Sequence, residues 1–109
     1  MSVCNHPGLL EIKLQSSEIK RHDPYEQTLF IRKEDVLSIS VIKASHVDYG
    51  DAGTLIHTVE ISILDSAKVW HGLRREYANE ANAKSAYLTA KSDVESLFTS
   101  TAEHDILTL

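Results

Sequence analysis

From Asn79 onward the chain carries the one pattern that leaves little choice of local structure. Ala83, Ala86, Tyr87, Ala90, Val94, Leu97 and Phe98 recur at steps of three or four, and Lys84, Ser85, Lys91, Ser92, Asp93 and Glu95 fall mostly outside the series. An α-helix turns once every 3.6 residues, so this series is a continuous apolar stripe. Asn79 suits the N-cap, where its side chain can accept from a free backbone N–H, and Glu80 sets negative charge in the first turn, where the helix dipole favours it. The spacing predicts one amphipathic helix over 79–98, about 30 Å long and able to cross a small sheet. Its stripe opens on alanine and closes on large side chains. Close approach near Ala83 and a deeper fill near Phe98 are expected.

A helix with one apolar stripe needs something to pack on, and the preceding sequence reads as β. Leu10, Ile12 and Leu14 alternate with Glu11, Lys13 and Gln15, the period of a strand buried on one face. Residues 16–27 are polar and contain the turn-favouring pair Asp23-Pro24, so a loop or irregular edge is expected there. Thr28 to Ile31 is a short apolar strand, interrupted by the charged triplet Lys33-Glu34-Asp35. Val36 to Lys43 resumes, with Leu37, Ile39 and Val41 on one face and Val36, Ser38, Ser40 and Ile42 on the other.

The segment 44–53, with its two glycines and two aspartates, reads as a hairpin tip. Its return arm, Thr54 to Leu64, puts His57, Val59, Ile61 and Ile63 on one face, and is long enough to accommodate a bulge or bend. A tight turn at residues 65–68 leads to a strand from Val69 to Leu73, extending in one reading through Arg75. Past the helix, residues 99–109 keep Ile106, Leu107 and Leu109. Such a tail docks either on its own domain or on a neighbour.

With 109 residues, these elements amount to a single domain over 1–109, opening on a flexible N-terminus at 1–8, β-rich over 9–75, and closing on the helix and tail. The expected fold is α+β: a four- to five-stranded antiparallel sheet, arranged as a meander, with the long C-terminal amphipathic helix packed across one face.

The net charge of −5 disfavours the concentrated basic surface that a phosphate backbone requires, so nucleic acid is not an expected partner. Cys4 is the only cysteine, which rules out an intrachain disulfide and fits a reducing cytoplasm. No apolar run approaches the ~18–20 residues of a membrane span, and the first eight residues lack the basic and apolar regions of a signal peptide. A soluble cytoplasmic protein is expected.

Six histidines are the one enriched reactive type: His6, His22, His46, His57, His71 and His104. No set has the spacing of a metal site, and no metal or cofactor is expected. His57 and His71 lie in strands expected to pair. A two-residue turn at Ser66-Ala67 sets His71 opposite Ser62, and a register one residue different sets it opposite Ile63, on the His57 face. On one face they form a candidate pH-sensitive or acid–base pair, and a small enzyme or metal protein using them is a second alternative function.

No nucleophile elbow, phosphate loop or dinucleotide fingerprint is present, so no catalytic residue is assigned and an enzyme is not expected. The best small-molecule candidate is an anionic, nucleotide-like ligand held by Lys20, Arg21, Arg74 and Arg75, should they converge at a sheet edge.

The remaining feature is apolar character on both faces of the strands. Trp70 alternates out of the Val69-His71-Leu73 series and shares a side with Ile42, Ile56 and Leu64, which one helix cannot cover. With the tail residues Ile106, Leu107 and Leu109, these are the candidate interface. The expected function is a small non-enzymatic binding, adaptor or inhibitor protein, of a kind that includes phage-encoded inhibitors of larger machines. Its partner is another protein, and it self-associates as a homodimer or higher oligomer.

Overall fold

A computed structural model describes residues 2–19, 26–48 and 53–109. The chain runs β1 (Leu9–Leu14), β2 (Gln27–Arg32), one 3-10 turn (Lys33–Asp35), β3 (Val36–Asp48), β4 (Thr54–Asp65), β5 (Trp70–Tyr77), α1 (Glu80–Leu97) and β6 (His104–Thr108). The α+β class holds, as does the single long helix. In place of one meander of four or five strands there are two three-stranded sheets, ordered β2-β1-β6 and β3-β4-β5.

The 3-10 turn is the physical reason for the split. Lys33 is only 1% exposed, so the charged triplet is not a solvated break between two strands of one sheet. It is a corner, pinned by the buried Lys33 while Glu34 stays exposed, at which the chain leaves the first sheet for the second. The expected meander survives only as β3-β4-β5, antiparallel throughout.

The first sheet is completed by the tail. β6 lies parallel to β1, with Ile12 beside Leu107, and β2 lies antiparallel on the other side, with Leu10 opposite Ile31 and Ile12 opposite Leu29. Beyond β6 the pairing continues: Leu109 N–H donates to Lys13 O, and Gln15 N–H to Leu109 O, both at 2.8 Å. Period-2 alternation sends Leu10, Ile12, Leu14, Ile31, Leu107 and Leu109 into one core with Val59, Ile61, Ile63 and Leu73 of the second sheet.

The helix packs against β3, β4, β5 and β6. Asn79 accepts from Asn82 N–H at 2.8 Å, closing the N-terminus as the sequence indicates. Ala83, Ala90, Val94 and Leu97 are buried. Phe98, expected to fill the core at the far end, is exposed, and Leu97 fills it instead.

Two local irregularities set which side chains face inward. Opposite β4, Val36 pairs with Asp65 and Ser38 with Leu64, so Leu37 is an extra residue. That bulge lets Val36 and Ile39, three apart, both reach the core.

The second irregularity is the turn after β4. Lys68 N–H donates to Asp65 O at 2.9 Å, and Asp65 N–H to Val69 O at 3.0 Å. Lys68 has φ +65°, the left-handed conformation that follows a type I turn in a three-residue hairpin loop. The two-residue turn is therefore replaced, and the register moves by one: His71 stands opposite Ile63, and Trp70 opposite Leu64.

The N-terminal segment, expected to be flexible, is hydrogen-bonded to the corner. Val3 N–H donates to Val36 O at 3.0 Å, Ser2 Oγ to Lys33 O, and Gly8 N–H to Glu34 Oε1 at 3.0 Å. Gly8 has φ +147°, and a β-carbon there would fall 2.3 Å from Glu103 O, so only glycine fits.

Candidate interaction surface

On the β3-β4-β5 sheet, odd-numbered residues of β4 face the core and even-numbered ones face away. The outward face has well-defined rows: Ser38, Leu64 and Trp70; Ser40, Ser62 and Gly72; Ile42, Glu60 and Arg74; Ala44, Thr58 and Glu76. Trp70 is 59% exposed and Ile42 45%, while Leu64 between the strands is half-buried.

The same face closes at its other end, where Ile56 is 1% exposed and Thr58 is buried. Here the segment after β1 is bound to the edge of β5. Glu18 N–H donates to Glu76 O at 3.0 Å, Arg75 Nε to Ser16 O at 2.9 Å, and Ala78 N–H to Glu18 Oε1 at 3.0 Å. The Ala78 N–H is the main reason that the Glu18 carboxyl titrates below its usual range.

The proposed interface residues thus divide. Trp70, Ile42 and Ile106 are exposed, and Leu64 lies beside Trp70. Ile56, Leu107 and Leu109 are taken up inside the chain's own fold. Of the two options for the tail, docking in cis is the one observed.

Only half of the expected basic edge lies within the described residues. Arg74 and Arg75 are neighbours on one strand and point to opposite faces. Arg75 is engaged by Ser16 and lies over the Tyr77 ring, 5.0 Å from its centroid. Lys20 and Arg21 lie outside the described residues, as do His22, Tyr25 and Tyr49.

His57 and His71 do share a sheet face, but they are no pair. His57 stands opposite Tyr77 and His71 opposite Ile63, six positions apart, or roughly 20 Å at ~3.4 Å per residue. His57 Nδ1 is 2.8 Å from Ser45 Oγ. His71 Nε2 is 2.8 Å from Asp65 Oδ2, and the Asp65 Oδ1 accepts from the Ala67 and Val69 N–H groups at 2.9 and 3.0 Å. His71 chiefly, then these turn amides, hold the Asp65 carboxyl below its ordinary range. This pair lines a cleft of about 370 Å³ with Phe30, Arg32, Asp35 and Ser66.

Among the described residues no three His, Cys, Asp or Glu side chains converge to hold a metal ion, and no helix is long and apolar enough to cross a membrane.

Three residues that the sequence alone did not mark as candidates, Lys33, Asp105 and Glu60, matter most to the charge pattern. Lys33 Nζ lies 2.5 Å from both Asp105 Oδ2 and Ala102 O, and Asp105 also accepts from Ser100 Oγ at 2.6 Å. Lys33 first, then Ser100, draws the Asp105 carboxyl below its usual range.

Glu60 and Arg74 are cross-strand neighbours on the outward face, yet no ion pair or hydrogen bond joins either to another described residue. Glu60 leans the other way, over Gly72, where its Oε1 comes within 3.4 Å of the place a β-carbon would occupy. The isolated glycine inside an otherwise regular strand was the one available signal for this close approach.

A second exposed apolar row lies outside the first sheet, with Phe30 and Ile106 flanking Glu11. There the acid is satisfied in cis, by His104 at 3.0 Å and Lys13 at 3.5 Å.

No family model, curated protein or solved structure matches the chain.

Proposed function

We propose that the chain is a small non-enzymatic binding protein acting through protein–protein contacts, self-association among them. Trp70 carries this reading. A large indole stands 59% exposed on a sheet face beside Leu64, with Ile42 two rows further along on the far strand, and tryptophan in such a setting is a favoured interface anchor because it brings a large area at little entropic cost. Adaptor and inhibitor roles draw equally on such a surface, since each works by occupying a partner.

Sedimentation velocity from about 1 to 500 µM tests self-association. A sedimentation coefficient that climbs with concentration is the expected result, and a monomer across the range removes the self-association. A lysate pull-down comparing the wild type with Trp70→Ser then tests the wider reading: partners lost with the indole are expected, and an unchanged set counts against it.

The anionic-ligand alternative, expected at Lys20, Arg21, Arg74 and Arg75, finds a further location in the cleft at His71 and Arg32. The His71 imidazole and the Arg32 guanidinium there already face carboxylates, His71 with Asp65 at 2.8 Å and Arg32 with Asp35 at 3.7 Å, so an anion has to compete with them. A thermal-shift panel of nucleotides and phosphates with no stabilisation removes this reading.

A further inference from the structure

We propose that the partner seated on the outward face of β3-β4-β5 is a second copy of this chain, related by a two-fold axis, with the Arg74 guanidinium of each copy entering the slot over Gly72 of the other to meet Glu60. This rests on the self-association reading and adds to it the face, the register and the residues.

Three observations converge on it. The first is the slot: Gly72 has no side chain between Trp70 and Arg74, the residues two positions either side of it on the same face of β5. Neighbours at that spacing stand about 7 Å apart along the strand, and the Glu60 carboxylate reaches into the gap beside Gly72, so a planar group arriving there meets it.

The second is charge. Glu60 leans its carboxylate over Gly72, with Oε1 3.4 Å from the place a β-carbon would occupy, away from the adjacent Arg74, and each group is left without a partner among the described residues. A two-fold interface apposes a patch to itself, so it is favourable only where the patch carries its own complement. An unpaired acid beside an unpaired base meets that condition, and the two-fold makes the bridge twice. The third is chemistry: guanidinium recognises carboxylate through two parallel hydrogen bonds and stacks on indole faces, and Trp70 borders the slot.

The face is small. Three strands by seven or eight residues give a flat footprint of roughly 350 Å², below the roughly 800 Å² per partner of a stable complex. The dimer is accordingly weak and visible only at high concentration.

The test is charge reversal and exchange, read by sedimentation velocity on the full chain with circular dichroism as the check on folding. Glu60→Arg and Arg74→Glu are each expected to weaken dimerisation by roughly tenfold or more, and the double variant to recover most of it, because the exchanged pair again complements itself. Trp70→Ala is expected to weaken it comparably, and Leu88→Ser, an exposed helix position, to leave it unchanged.

A wild type that stays monomeric to 500 µM overturns both this inference and the self-association reading. A dimer indifferent to Glu60→Arg, Arg74→Glu and Trp70→Ala overturns this inference alone. So does a double variant no better than either single one. If any of the variants fails to fold, Glu60→Gln and Arg74→Met replace the reversals, with weakening expected and no change overturning the proposal.

Discussion

Two acid–base couples in this chain live under opposite terms. Lys33 and Asp105, remote in sequence, meet at 2.5 Å at the corner between the sheets. Glu60 and Arg74, directly opposite on neighbouring strands, do not meet. Inside, an unpaired ammonium is too costly to tolerate, so the fold brings a carboxylate and a backbone carbonyl to it. On the surface water solvates both charges, nothing forces them together, and they stay available to an outside partner.

The largest effect that can break this comparison is Asp105→Asn. It leaves the Lys33 ammonium buried without its carboxylate, and denaturant unfolding should show a loss of about 3–5 kcal/mol. Lys33→Met should cost less than half of that, because Asp105 is 28% exposed, can be hydrated, and keeps Ser100. Equal losses from the two variants would show that the burial of Lys33 is not what sets the cost.

Acid sharpens the same contrast. Lys33 and Ser100 lower the Asp105 carboxyl in the fold, and His71 lowers Asp65. A carboxyl depressed by folding contributes stability that is fully present above its unfolded pKa, about 3.9, and lost as pH falls through the folded value. The urea midpoint should therefore respond to these two groups only below about pH 4, and less steeply in Asp105→Asn than in the wild type.

Between the extremes stands Tyr77. It is buried, its phenol makes no hydrogen bond among the described residues, and burial raises its pKa. Tyr77→Phe removes an unsatisfied hydroxyl and should stabilise the fold by about 1 kcal/mol, read from the denaturant midpoint. The smallest effects belong to Glu60→Gln and Arg74→Met, each expected within about 0.5 kcal/mol of wild-type stability. A larger loss from either would mean that these charges serve the fold.

What the sequence disclosed follows the range of the interactions involved. The helix was legible to within a residue or two, because its cap at Asn79 and its stripe are local. The strands were legible from alternation. Their assignment to sheets was not, because it turns on Lys33, which looks like any residue of a charged turn until Asp105 arrives from a distant part of the chain.

The side of the sheet on which His71 lies depended on one backbone conformation. Lys68 occupies a left-handed position that glycine usually marks, so the actual loop gave no more sign of itself than the two-residue alternative. At the candidate surface, Trp70 and Ile42 were visible as an unsatisfied second face. Glu60 was not, because an acidic residue on a solvent-facing strand position is ordinary until its neighbour proves to be Gly72.

The parallel pairing of β1 with β6 has a kinetic consequence. Leu9 lies beside His104, so the central strand of its sheet holds one of its two neighbours from the far end of the chain. Closing so long a loop carries its entropic cost before the contacts that reward it form, and chains dominated by such pairings fold slowly. During synthesis β1 emerges long before β6 exists, with only β2 to pair with. Until the tail arrives, one edge of β1 is open to any extended segment nearby, and that interval is when the chain is most exposed to aggregation.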